Sequence, residues 1–235
     1  MTDRQKDASI DHILKQGLVI PPSLWQRVRE ILSMLGFGFI FWDMSYSICF
    51  TIPTLVITLL SLLFVPERFS YSAAAGIAPM LFLLITFFAE TSERISGLYE
   101  LKQTCRYTVR QITAVRVMCY AAAGILFTGV VAAIMADTVN EFFMLLPICL
   151  SMLFICAAVQ LSALRLVRNG WAVAVISACW AAANLAVCFV VGEWWESFLR
   201  SVPIAIGMMA AILSAAILVL QIKKMLMEVN QYAIA

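Results

Sequence analysis

The chain of 235 residues is 63% hydrophobic and only 13% charged, with a mean hydropathy of +0.94. Soluble domains are about 45–50% apolar and about 25% charged, so the composition excludes an ordinary soluble globule and points to an all-α polytopic membrane protein. The formal net charge of +2 gives no reason to expect a nucleic-acid partner, because the basic residues are distributed as membrane orientation requires.

Residues 1–45 form a predicted cytoplasmic N-terminal segment. Its first 30 residues are polar, with no early apolar run ending in small residues, so the first span is expected to act as the targeting signal. Ile10, Ile13 and Leu14 share one face of a short predicted helix, which Pro21–Pro22 break. Ser23 can cap a second helix with Leu24, Val28, Ile31, Leu32 and Leu35 at helical spacing, while Arg27, Arg29 and Glu30 point elsewhere. This pattern predicts an amphipathic helix in the membrane interface, with Trp42 in the aromatic belt. Asp43 stands where that helix ends and is expected to cap the first span rather than bind an ion.

Residues 46–235 hold six predicted spans: Tyr46–Val65, Tyr71–Ala89, Ala114–Ala136, Phe142–Leu164, Trp171–Val191 and Val202–Ile222. Each approaches the roughly 20 apolar residues that cross about 30 Å of hydrocarbon. The outer loops are short. Only Gly192–Ser201 is expected to hold structure, and Trp194, Trp195, Phe198 and Leu199 suggest a segment lying in the outer interface. Pro53, Pro79 and Pro147 are expected to kink their spans. Small residues in the third, fifth and sixth spans allow close helix approach, and Gln160 and Asn184 are expected to hydrogen-bond across helices.

With the N-terminus inside, the cytoplasmic segments hold Arg4, Lys6, Lys15, Arg27, Arg29, Arg94, Lys102, Arg106, Arg110, Arg116, Arg165, Arg168, Lys223 and Lys224. The outer loops hold only Arg68 and Arg200, with Glu67, Asp137, Glu141, Glu193 and Glu196. The asymmetry predicts both termini in the cytoplasm; with no outer-membrane or extracellular signature in the sequence, the expected location is the plasma membrane of a bacterium. The seven cysteines include no C-x-x-C pair, and six fall within predicted spans, so they are expected to pack as small apolar residues.

Several chemistries are not expected. His12 is the only histidine, which leaves no Ser–His or Cys–His pair and no histidine metal site. There is no H-E-x-x-H motif and no phosphate loop, and no paired carboxylates fall at the predicted bilayer centre. The sequence therefore predicts neither an enzyme, nor a cofactor or metal protein, nor an ion-driven carrier.

The stretch Glu90–Arg116 interrupts this apolar chain with ETSERISGLYELKQTCRYTVRQITAVR. Ile95, Leu98 and Leu101 alternate with Glu93, Arg94, Glu100 and Lys102 as on an amphipathic helix. Acidic and basic residues at the end of the second span, then a glycine, a Glu-Leu step, a polar turn and a basic residue at the next span make this stretch resemble the first cytoplasmic loop of type-two ABC exporter permeases. The matching residues are Glu93, Arg94, Gly97, Glu100, Leu101 and Arg116; the family often has a proline in the turn, where this chain has Arg106–Tyr107–Thr108. The six-span layout, inside termini and amphipathic N-terminal helix fit the same family.

The resemblance implies a cytoplasmic coupling helix in the loop at about 90–113, docking on a separate ABC ATPase subunit through Glu93, Arg94, Gly97, Leu98, Glu100 and Leu101. It implies a dimer, or a pair with a sister permease, that exports a hydrophobic or amphipathic compound such as a peptide, lipid or drug. Apolar residues would anchor such a docking helix and charges would fix its register. Two other functions remain open at this point: a multi-span regulator whose cytoplasmic N-terminus binds a signalling or transcription factor, and a structural membrane protein.

Overall fold

The structure, a computed structural model, describes residues 25–26, 28–30, 32–33, 44–95, 109–166, 171–190 and 192–227. In chain order the helices are α1 (Met44–Leu62), a 3-10 turn at Glu67–Phe69, α2 (Ser70–Ile77), α3 (Met80–Ile95), α4 (Val109–Met135), α5 (Val139–Leu166), α6 (Trp171–Val190), α7 (Gly192–Ser201) and α8 (Ile204–Met227). The described residues between 25 and 33 are helical as well, and no strand occurs among the described residues. The all-helical outcome follows from composition, because an apolar surrounding offers backbone groups no partner and a helix satisfies them internally.

Among the described residues, four segments are long and apolar enough to cross a membrane: Ser70–Phe88, Ile112–Met135, Val139–Ala163 and Ile204–Leu226. They coincide with the second, third, fourth and sixth predicted spans. At the positions of the first and fifth lie α1 and α6, helices of 19 and 20 residues.

The three span prolines behave differently. Pro53 and Pro147 sit inside the continuous helices α1 and α5. Pro79 separates α2 from α3, yet the amide of Ala78 donates to the Ala74 carbonyl and that of Leu83 to the Pro79 carbonyl, both at 2.9 Å. α2 and α3 are thus two halves of one span. The break is held by its neighbours: the Trp180 indole Nε1 donates to the Gly76 carbonyl at 3.3 Å, and the Thr128 hydroxyl reaches the Ala78 carbonyl at 3.5 Å. Side chains from α6 and α4 therefore cover carbonyls where the regular ladder lapses.

Two apolar clusters lie at opposite ends of the bundle. One gathers Leu62, Tyr71, Ala75, Phe127, Leu145 and Leu199, from the end of α1, the start of α2, the end of α4, the start of α5, and α7. The other gathers Phe82, Val115, Leu161, Ile222 and Leu226 with Val28. Val28 is buried and Leu32 packs against the same cluster, whereas Arg29 and Glu30 are exposed. The predicted amphipathic pattern is therefore present at these positions, and its apolar side is turned to the bundle where α8 ends. Trp42, Asp43 and most of the predicted N-terminal pattern lie outside the described residues.

The most extensive helix contact joins α5 and α8. A β-carbon at Gly207 of α8 would come 3.3 Å from Cβ of Pro147 in α5, a rigid ring that yields little. At Gly129 in α4 a β-carbon would meet nothing within 4 Å. Gly207→Leu is accordingly expected to lower stability by about 1–3 kcal/mol through overpacking. Gly129→Ala is expected to be neutral or to stabilise by up to about 1 kcal/mol through helix propensity. Thermal unfolding in detergent checks both, and a larger loss at Gly129 would contradict the packing described.

Candidate functional site

The best-formed polar constellation is built from α7. In GEWWESFLRS, positions 192, 195, 196 and 199 recur on one helical face. Gly192 begins the helix with φ +48°, a left-handed conformation that glycine adopts without steric cost. On the inward face, Leu199 is buried in the apolar cluster, Trp195 packs against that cluster, and Glu196 is only 4% exposed.

A buried carboxylate is costly unless its oxygens are matched. Glu196 finds its partners 125 and 124 residues away in sequence. Its Oε1 accepts from the backbone amide of Tyr71 and its Oε2 from that of Ser72, both at 2.9 Å. The first amides of a helix have no partner within the helix, and α2 starts after Phe69, which supplies no side-chain cap. Glu196 thus caps α2 from another helix, with its negative charge at the positive end of the α2 dipole.

Arg200 completes the arrangement. Its Nε donates to Glu196 Oε1 at 3.3 Å, its Nη2 donates to the Ser70 hydroxyl at 3.2 Å, and its guanidinium lies 5.3 Å from the centre of the Tyr71 ring. The exposed pair Arg68–Glu193 at 3.9 Å adds little by comparison.

A second polar group lies inside the bundle, beside the cluster that holds Phe82 and Leu161. Gln160 in α5, fully buried, donates from Nε2 to the Thr86 hydroxyl of α3 at 2.8 Å. That hydroxyl in turn donates to the carbonyls of Phe82 and Leu83 at 2.8 and 3.0 Å. Gln160 bridges two helices as its sequence position predicts. Asn184 differs: its Nδ2 donates to the Trp180 carbonyl one turn back in its own helix, at 2.9 Å. It nevertheless fits closely against α2, since a β-carbon at Gly76 would come 2.8 Å from Asn184 Oδ1. Its role between helices is therefore shape, and the bond across the helices is made by Trp180.

The residues singled out from the sequence for docking fall at the other end. Glu93 and Arg94 occupy the last turn of α3, whereas Gly97, Leu98, Glu100 and Leu101 lie outside the described residues. Cys105 does too, while Cys49, Cys119, Cys149, Cys156 and Cys179 carry free thiols. No grouping of three or more potential metal ligands occurs among the described residues. The Glu196 cap was not anticipated. The available signal is a glutamate in register with Trp195 and Leu199 on an apolar helix face, one turn before an arginine.

No family model matches the chain, and neither does any curated protein or solved structure. Arguments about function therefore rest on the chain itself.

Two outcomes follow for stability. Glu196→Ala strands two amides in a buried place and is expected to cost about 2 kcal/mol or more. Arg200→Ala is expected to cost less than about 1 kcal/mol, because this side chain is 46% exposed and solvent screens its charge. Melting of both variants in detergent checks the ranking, which equal losses would contradict. For Gln160→Leu and Thr86→Val, a double-mutant cycle is expected to give a coupling of about 0.6–1.7 kcal/mol, as for hydrogen bonds between membrane helices. Strict additivity would mean that the bond contributes nothing.

Proposed function

We propose that the chain is the membrane subunit of an ATP-driven ABC exporter. In this reading α1 and α6 are spans alongside the four longer apolar segments, giving six, with both termini in the cytoplasm of a bacterial cell. The protein sits in the plasma membrane as a homodimer or beside a sister permease. ATP is hydrolysed on a separate subunit, so the chain is itself neither an enzyme nor a cofactor protein. The cargo is a hydrophobic or amphipathic compound, which suits short outer loops and an apolar interior.

One observation carries most of the weight. α3 remains helical to Ile95 although its apolar sequence ends at Ala89, just before Glu90. The six further helical residues, Glu90–Ile95, extend the axis by about 9 Å. α4 likewise starts at Val109 and carries the polar Arg110 and Gln111 in its first turn. The charged sequence at 90–113 thus grows out of two helices at the end where Lys223 and Lys224 of α8 also lie. That arrangement supports a cytoplasmic docking element in which Glu93, Arg94, Gly97, Leu98, Glu100 and Leu101 engage a groove of the ATPase.

The test is a mild-detergent pull-down from native cells, with partners identified by mass spectrometry. The wild type is expected to recover an ATPase with phosphate-loop motifs, Glu100→Lys to lose it, and a variant lacking residues 1–20 to keep it. Recovery of a signalling or transcription factor that depends on residues 1–20, with no ATPase, would overturn the proposal in favour of a membrane regulator.

A further inference from the structure

The surface of α7 divides into three arcs. Gly192, Trp195, Glu196 and Leu199 point toward the bundle, as their burial shows. Glu193, Ser197, Arg200 and Ser201 form an exposed polar arc on one side. On the other side stand Trp194 and Phe198, 68% and 48% exposed. Their rings stack at 6.0 Å with 13° between planes, and Trp195 stacks on Phe198 at 5.6 Å. A helix in water has no use for an exposed aromatic stack beside a separate polar arc. A helix at a lipid boundary has a use for both.

The neighbouring helices agree. The exposed apolar exterior reaches α7 from both sides in sequence: Val190 ends α6, and Ile204 and Ile206 begin α8. Phe64 after α1 and Phe143 near the start of α5 are exposed at the same end of the bundle. Charged Arg68, Asp137 and Glu193 occur close to them in sequence and are exposed too. An aromatic-rich edge bordered by charge is where an apolar exterior meets headgroups.

We propose that α7 is a lipid-docking helix whose Trp194–Phe198 stripe seats in the headgroup–acyl boundary of a phospholipid bilayer while Glu196 fastens it to the start of α2. The partner is the bilayer itself. The polar arc faces water, and the Glu196 cap transmits any displacement of the helix to Ser70–Ile77, whose far end is the break at Pro79. The inference rests on the chain spanning a membrane and is independent of the exporter reading.

Spin labels placed one at a time at positions 194, 197, 198, 201 and 212 of a full-length, cysteine-free chain in phosphatidylcholine/phosphatidylglycerol vesicles test it. Ile212, 65% exposed in the middle of α8, serves as the lipid reference. Labels at 194 and 198 are expected to collide preferentially with oxygen, like the label at 212. Labels at 197 and 201 are expected to shift toward a water-soluble nickel complex. Nickel access at 194 and 198 with oxygen preference kept at 212 would overturn the proposal and leave the spans standing. Exclusion of both agents from 194 and 198 would overturn it in favour of a second copy of the chain or another protein covering the stripe. Nickel access at 212 would refute the membrane reading beneath it. A label-free check uses brominated lipid: Trp194→Phe is expected to lose part of the tryptophan quenching seen in the wild type, and unchanged quenching would count against lipid contact.

Discussion

Every backbone amide and carbonyl held in apolar surroundings must find a partner within the protein. That single requirement organises this chain. Regular helices meet it for most residues, and the exceptions occur where the ladder lapses. At the Pro79 break, Trp180 and Thr128 donate to the Gly76 and Ala78 carbonyls. At the start of α2, Glu196 accepts from the amides of Tyr71 and Ser72. Both lapses belong to the same span, so this span depends on α4, α6 and α7 for its completion. Removing one of those partners therefore exposes a backbone defect as well as deleting a contact.

The two ends of the bundle meet different demands. At the α7 end, the Glu196 carboxylate is matched by two α2 amides and by Arg200. At the opposite end, α3 and α4 extend beyond their apolar stretches into charged sequence, and the residues around Val28 lean on the same cluster as the end of α8. Helices that run on into charged sequence at one end give a partner on that side a place to apply force. This is the physical content of the exporter proposal.

Much of the architecture was legible in the sequence because apolar periodicity and length dominate when surroundings are apolar. All six apolar runs are helical, and among the described residues four meet the length and hydropathy needed to cross a membrane. Gln160 was legible as a bridge because an amide in an apolar run has few alternatives to another helix. The long-range partners were not legible. Nothing local in GEWWESFLRS states that Glu196 serves amides 125 and 124 residues earlier, since capping in trans depends on how distant helices pack. Nor does local pattern decide among three prolines. At Pro79 an indole and a hydroxyl from neighbouring helices reach the Gly76 and Ala78 carbonyls. Asn184 misled for a related reason, since its amide found a carbonyl in its own helix first. Gly97, Leu98, Glu100 and Leu101, proposed for docking, lie outside the described residues.

The sidedness of the bundle is the claim on which the functional reading depends. Its most direct measurement is reaction with a membrane-impermeant maleimide in intact spheroplasts, using single cysteines at Asp137, Ser201, Lys102 and Lys223 in a cysteine-free chain. Labelling of 137 and 201 from outside, with 102 and 223 reacting only after permeabilisation, is the expected result. Labelling of position 102 from outside would place the charged loop away from any cytoplasmic ATPase and contradict the proposed function.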